Sequence, residues 1–277
     1  MSLPPGAGDA RRVAGGDINE AFRVRLADGR EAFVKTRDHV EPGEYAAEAA
    51  GLRWLAEPGA LRTPRVLDVG EDYLALEWVA PGRLDAQGAE ELGRGLAATH
   101  LAGAPRFGDF GGCPVAHFGA LALSNEPAQD WPTFYAERRL LPLARAARER
   151  GAVTPRAAAA VERASARLGE LIGEPEAPAR LHGDLWAGNV MAGADGRPWL
   201  VDPSAYGGHR EIDLAMLSLF GSPSERVLGA YQELAPLGAG WRERADLYQL
   251  MPLLLHAVLF GGSYGATAER VALRYGG

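Results

Sequence analysis

The chain has 277 residues, 47 % of them hydrophobic, a formal net charge of −7 and a single cysteine, Cys113. That length allows one large domain or two lobes with a real core. The acidic balance excludes a general grip on nucleic acid, which needs clustered Lys and Arg, and a lone thiol excludes an internal disulfide or a thiolate zinc site and fits a reduced, cytoplasmic protein.

Residues 1–9 are rich in Pro and Gly and are expected to fray; they lack the basic flank and apolar stretch of a signal peptide. Phe22, Val24 and Leu26 alternate with Arg23 and Arg25, which is strand spacing. Asp28-Gly29 supplies a hairpin turn, and residues 32–35 form the returning strand. Residues 44–57 are alanine-rich and predict a helix stopped by Pro58-Gly59. Two more strands are expected at 65–69 and 73–79. Ala80-Pro81-Gly82 is a breaker and the expected hinge, giving an amino-terminal lobe over 1–79, a linker over 80–82 and a larger lobe over 83–277. Beyond the linker the periodicity is helical: 88–101, 131–149 bent or split by Pro142, 155–172, 211–220, 224–234 and 241–260. The longest apolar run, 250–260, is too short to span a membrane and carries Pro252 and His256, the latter read as a satisfied core histidine.

A short non-helical segment interrupts this pattern and carries the chemistry. Leu181-His182-Gly183-Asp184-Leu185-Trp186-Ala187-Gly188-Asn189 fits the kinase catalytic-loop pattern H-x-D-L-x-x-x-N. Phosphoryl transfer needs a carboxylate beside the attacking hydroxyl, which Asp184 supplies, and an oxygen ligand for magnesium, which Asn189 supplies. A hairpin turning at Asp195-Gly196 delivers Asp202 as the second magnesium ligand. Lys35 ends an apolar strand and can reach the phosphates of ATP. Glu48 is the chosen partner for it, with Glu44 one turn earlier as the alternative. Gly15 and Gly16 stand where backbone N–H groups could approach phosphate. The adenine is expected against Glu77, Trp78 and Val79. Read singly, Lys35 is an edge lysine, Glu48 a solvated helix residue and Asp202 a turn residue; their order and spacing make the set specific. Trp186 is the candidate acceptor-binding residue, by stacking or by meeting an ammonium. His182, His209, Arg210 and Asp213 are assigned to support of the loop.

These segments resemble the fructosamine kinase (ketosamine-3-kinase) family, a branch of the protein-kinase-like superfamily near the aminoglycoside phosphotransferases and choline kinases. The resemblance rests on Gly15-Gly16-Asp17-Ile18-Asn19, Phe33-Val34-Lys35, Glu48-Ala49-Ala50-Gly51-Leu52, the catalytic loop, the run from Asp202 through Gly208-His209-Arg210-Glu211-Ile212-Asp213 to Ala215, and Leu254-Leu255-His256-Ala257 with Gly261-Gly262-Ser263-Tyr264. It implies an α+β bilobal fold with a small antiparallel-sheet lobe and a larger helical one. It also implies transfer of the γ-phosphate of ATP, with Mg²⁺, to the 3-hydroxyl of a ketosamine: ribulosamine, erythrulosamine or fructosamine, free or on a glycated lysine. Repair of glycated amines is the implied role, and a monomer is expected. Some members carry Cys where this chain has Asp17, so redox control there is not expected.

Departures from protein kinases are informative. Gly183 replaces an Arg that answers a phosphorylated activation loop, and Pro203-Ser204 replaces Phe-Gly, so neither such a loop nor a peptide platform is expected. Two rival acceptors, an aminoglycoside and a choline-like alcohol, and a non-catalytic nucleotide-binding role remain open. Gly261-Gly262-Ser263-Tyr264-Gly265 matches a hydrolase pattern, G-x-S-x-G, but no Asp or His follows it.

Overall fold

In the computed structural model, residues 3–5, 7–13, 19–221 and 223–277 are described. Five antiparallel strands form the smaller lobe: β1 Ala10–Val13, β2 Glu20–Arg25, β3 Glu31–Thr36, β4 Val66–Val69 and β5 Tyr73–Glu77, in the order β1-β2-β3-β5-β4. Alternation sets the two faces of this sheet. Phe22, Val24, Val34 and Ala75 point to one side, where Leu3 and Ala7 cover them. Leu74 and Leu76 point to the other, against Tyr45, Ala49 and Leu52 of helix α1 Glu44–Ala56. The segment expected to fray is thus partly tied down: Gly8 N–H donates to the Arg25 carbonyl at 2.9 Å, because the outer sheet face needs an apolar cover.

The chain leaves the sheet through residues 80–82, which pair with a hairpin of β9 Val190–Ala192 and β10 Pro198–Leu200. The Gly82 N–H donates to Ala192 and the Ala194 N–H to Ala80, both at 2.8 Å. The larger lobe is helical around two short strand pairs, β6 Val115–Phe118 with β7 Leu121–Ser124, and β8 Ala179–Leu181 with β11 Tyr206–Gly208. Helix α2 Ala86–Leu101, capped by the Asp85 carboxylate, packs on α8 Glu225–Leu234. Helix α9 Trp241–Phe260 runs through the main core, and α10 Ser263–Gly276 lies across it and across α5 Pro155–Ala166. A further turn, α6 Leu168–Leu171, follows a break at Arg167 within the helix expected over 155–172.

Two prolines inside helices free a carbonyl four residues back, and side chains fill both gaps. The expected irregularity at Pro142 is a wider, π-helical turn, Ala136–Leu140, between α3 Trp131–Tyr135 and α4 Leu141–Glu149. The Arg138 carbonyl freed there accepts from Arg139 Nη1 at 3.0 Å. Pro252 in α9 frees the Tyr248 carbonyl, which accepts from Tyr135 Oη at 3.2 Å. The β6–β7 hairpin and α10 were not expected from the sequence. The Gly261–Gly265 pattern falls on the start of α10 after a helix, which removes the strand-to-helix elbow a hydrolase needs. Among the described residues no helix is long and apolar enough to cross a membrane.

Candidate active site

The loop after β8 is held from below by one carboxylate. Asp213, on helix α7 Glu211–Leu217 and buried, accepts the backbone N–H groups of His182 at 2.8 Å and Gly183 at 2.9 Å. His100, at the end of α2, reaches the same carboxylate at 3.3 Å, and its other nitrogen meets Tyr231 Oη at 2.8 Å. Nothing in the periodicity of α2 marks His100; only the tertiary arrangement does. His182 bridges outward: Nε2 donates to the Val201 carbonyl at 2.9 Å, and Nδ1 accepts the Asp184 N–H at 3.3 Å. Both nitrogens are occupied by neutral-ring bonds and burial pushes the pKa down, so this ring braces the loop. Gly183 is required sterically. Its φ is +83°, and a Cβ there would stand 2.0 Å from the Ser204 carbonyl oxygen.

That contact presses the Asp184 loop directly against the segment carrying Asp202. Asn189, in a tight turn Ala187–Asn189, donates Nδ2 to the Asp184 carbonyl at 2.8 Å and to its carboxylate at 3.1 Å. Among the described residues no donor reaches the Asn189 Oδ1. The β9–β10 hairpin brings Asp202 alongside, through a Val201 N–H bond to the Asn189 carbonyl at 3.0 Å. Asp202 has φ +53°, the one positive φ among described residues other than glycine. From the smaller lobe, Lys35 Nζ reaches Asp202 Oδ1 at 3.1 Å and pairs with Glu48. Glu44 pairs instead with Arg37, so of the two carboxylates on α1 it is Glu48 that meets the lysine.

The electrostatics follow from this crowding. Burial opposes the Lys35 charge, but Asp202 and Glu48 outweigh it and hold the ammonium above the usual lysine range. Burial pushes Glu48 up to about 7 against the pull of Lys35. Asp184 is pushed up to about 7, first by burial and then by the facing charge of Asp202, while the Asn189 hydrogen bond works the other way. A divalent cation fits this donor set: Asn189 Oδ1 and the half-exposed Asp202 carboxylate are hard oxygens on one rim. Among the described residues no three His, Cys, Asp or Glu side chains converge, so such a cation would complete its shell with phosphate oxygens and water.

The other expected site residues fall in distinct places. Gly15 and Gly16 lie outside the described residues. The Glu77 carboxylate turns to Arg65 at 3.0 Å, and the Trp78 ring lies under the Arg23 guanidinium at 4.6 Å. Those side chains face outward, which leaves the peptide groups of Val79, hydrogen-bonded to no other described residue, as what this segment offers. Arg210 is engaged elsewhere: it forms a bidentate pair with Glu176, both bonds 2.7 Å, and His209 stacks on Tyr248 at 5.4 Å. Both fasten the base of α7. Trp186 is 37 % exposed beside Asp184 and meets Phe220 edge-on at 5.8 Å. His256, read from sequence as a core residue, extends this open cluster, 5.3 Å from Phe220 and 5.0 Å from Tyr264. Its Nδ1 donates to the Pro252 carbonyl at 2.7 Å.

The family model described as fructosamine kinase matches residues 6–275. The chain belongs to the fructosamine kinase family. Like the rest of that family it is an ATP-dependent phosphotransferase acting on an alcohol group. A Thermus thermophilus relative named as a probable ketoamine kinase is 39 % identical over 258 residues, covering 93 % of this chain and 90 % of its own. One from Enterococcus faecium with the same designation is 36 % identical over 265 residues, covering 94 % and 92 %. The crystal structure of a Thermobifida fusca protein, titled for fructosamine-3-kinase, superposes on this family member with a TM-score of 0.88 at 44 % identity, covering 97 % and 94 % of the two chains. An aminoglycoside phosphotransferase complex with AMP-PNP and hygromycin B shares the fold at a TM-score of 0.65 and 19 % identity.

Proposed function

We propose that this fructosamine kinase family member transfers the γ-phosphate of ATP to the 3-hydroxyl of a ketosamine, a short one such as ribulosamine or erythrulosamine in preference to fructosamine, and so reverses amine glycation. The observation that carries the reading is the meeting of Lys35, Glu48 and Asp202 beside the Asp184–Asn189 pair. Lys35 holds the phosphates and Glu48 aims it. The segment at Glu77, Trp78 and Val79 receives the adenine through its backbone. Asn189 and Asp202 would hold Mg²⁺, which supplies charge neutralisation for the phosphates.

Asp184 accepts the proton of the acceptor hydroxyl and orients its oxygen toward phosphorus. Its rim position and raised pKa suit a base near neutral pH. Trp186 and the aromatic cluster around it give the acceptor's amine a ring face. Most of the acceleration comes from positioning and charge placement, because a loose phosphoryl transition state leaves little covalent work.

The test is a phosphorylation screen with ATP over ketosamines, aminoglycosides and amino alcohols, with the phosphate located on the product by NMR. Turnover of ketosamines at the 3-hydroxyl supports the proposal; turnover of aminoglycosides or choline alone, or no ATP consumption at all, refutes it. Asp184→Asn should lower kcat by about 10²–10⁴ with nucleotide affinity little changed. Near-normal turnover in that variant would remove Asp184 from the base role.

A further inference from the structure

Arg139 is fully buried, yet among the described residues no carboxylate lies within ion-pair distance of it. Its guanidinium lies against the rings of Phe134 and Tyr206, 4.6 and 4.2 Å from their centroids. Nη1 donates to the carbonyls of Ser124 at 2.7 Å and Arg138 at 3.0 Å, and Nη2 donates to Asn125 Oδ1 at 2.6 Å. Burying a cation without a counter-ion is costly, and a hydrophobic residue would fill this space more cheaply.

What Arg139 imposes is a direction on the Asn125 amide. A guanidinium only donates, so the amide must turn its oxygen toward it. Asn125 Nδ2 then faces the opposite way and donates to the Ala205 carbonyl at 3.3 Å. A second tether arrives from the same hairpin, where Ser204 Oγ donates to the His117 carbonyl at 2.5 Å. Ser204 and Ala205 follow Asp202 by two and three residues, and Asp202 is the residue held at φ +53°. A non-glycine residue in that region is strained and persists only when its surroundings over-determine it. Freed of the two tethers, the segment can relax to a commoner φ and turn the Asp202 carboxylate away from Lys35 and Asn189.

We propose that Arg139 and Asn125, assisted by Ser204, are positioning residues that hold Asp202 in its cation-facing conformation. The proposal rests on the reading of Asp202 and Asn189 as ligands of the nucleotide-bound metal. Asn125→Asp separates positioning from stability. The carboxylate is isosteric and gives Arg139 the counter-ion it lacks, but it sets an oxygen against the Ala205 carbonyl in place of a donor.

The experiment uses Mn²⁺ as the probe, titrated by electron paramagnetic resonance into the full-length protein with AMP-PNP, alongside calorimetric melting. For Asn125→Asp we expect Mn²⁺ to bind about 10-fold more weakly, with AMP-PNP affinity in EDTA and the melting temperature close to wild type. Ser204→Ala should weaken Mn²⁺ in the same direction, and it decides the matter if Asn125→Asp does not fold. Wild-type Mn²⁺ affinity in the folded variants overturns the proposal, even where the melting temperature falls, and leaves the kinase reading intact. Failure of the wild-type protein to take up Mn²⁺ with AMP-PNP overturns both.

Discussion

Acidification should destabilise this protein through His209 between about pH 6.5 and 4. The ring is buried and stacked on Tyr248, and its Nδ1 accepts the Glu211 N–H at 3.3 Å, a bond that protonation destroys. Burial lowers its pKa to about 4. Glu176, 3.9 Å from Nε2, works in the opposite sense, and Arg210, Arg244 and His100 add to the lowering. The unfolded chain titrates near 6.5, so between pH 6.5 and 4 it binds a proton that the folded protein refuses. Stability from this group is therefore complete above pH 6.5 and lost as pH falls toward 4, by up to about 3 kcal/mol at 1.36 kcal/mol per pH unit. Urea denaturation from pH 7.5 to 4 should show a steeper loss for the wild type than for His209→Asn, which keeps an acceptor for the Glu211 N–H but cannot be protonated. The difference between the two proteins removes the carboxylates and the other histidines they share. Parallel stability curves for the two would refute the reasoning.

Two further outcomes follow from the site. Gly183→Ala should destabilise the protein by about 3–5 kcal/mol, from a strained φ and a Cβ driven into the Ser204 carbonyl; chemical denaturation measures this, and a loss under about 1 kcal/mol would contradict the packing described. Trp186→Ala should raise the KM for the ketosamine about 10-fold while leaving the KM for ATP unchanged, and steady-state kinetics with each substrate varied would show it. An unaltered ketosamine KM would place the indole outside the acceptor site.

That Asp184, Asn189 and Asp202 would meet at one candidate site was legible because their spacing along the chain is local. Asp184 and Asn189 share one loop, and a single hairpin turn at Asp195-Gly196 carries the chain on to Asp202. Lys35 was legible only as the end of an apolar strand, and the choice of Glu48 over Glu44 needed the contact with Arg37 to settle it. The β6–β7 hairpin carried a faint signal, since Ala116, Phe118 and Leu123 alternate inward around Gly119, but alanine-rich strands resemble loops to a periodicity argument. Helix α10 follows Gly261-Gly262 and was not expected, although Ala268, Val271 and Ala272 repeat at helical spacing. His100, Asn125 and Arg139 had no local signature at all. Arg139 is adjacent to the half-buried, surface-paired Arg138, and in the π-helical turn before Pro142 one points inward and the other outward.

Helix α1 is wedged on both sides. Gly51 lies so close to the chain after Asp202 that a Cβ would stand 3.1 Å from the Ala205 side chain and 3.4 Å from Pro203, and strand β6 closes over the same helix. A helix clamped in this way has no room to swing its glutamate out of reach of the lysine, which is how many phosphotransferases are silenced. Throughput in such an enzyme tracks the supply of nucleotide and acceptor and not the position of a mobile helix.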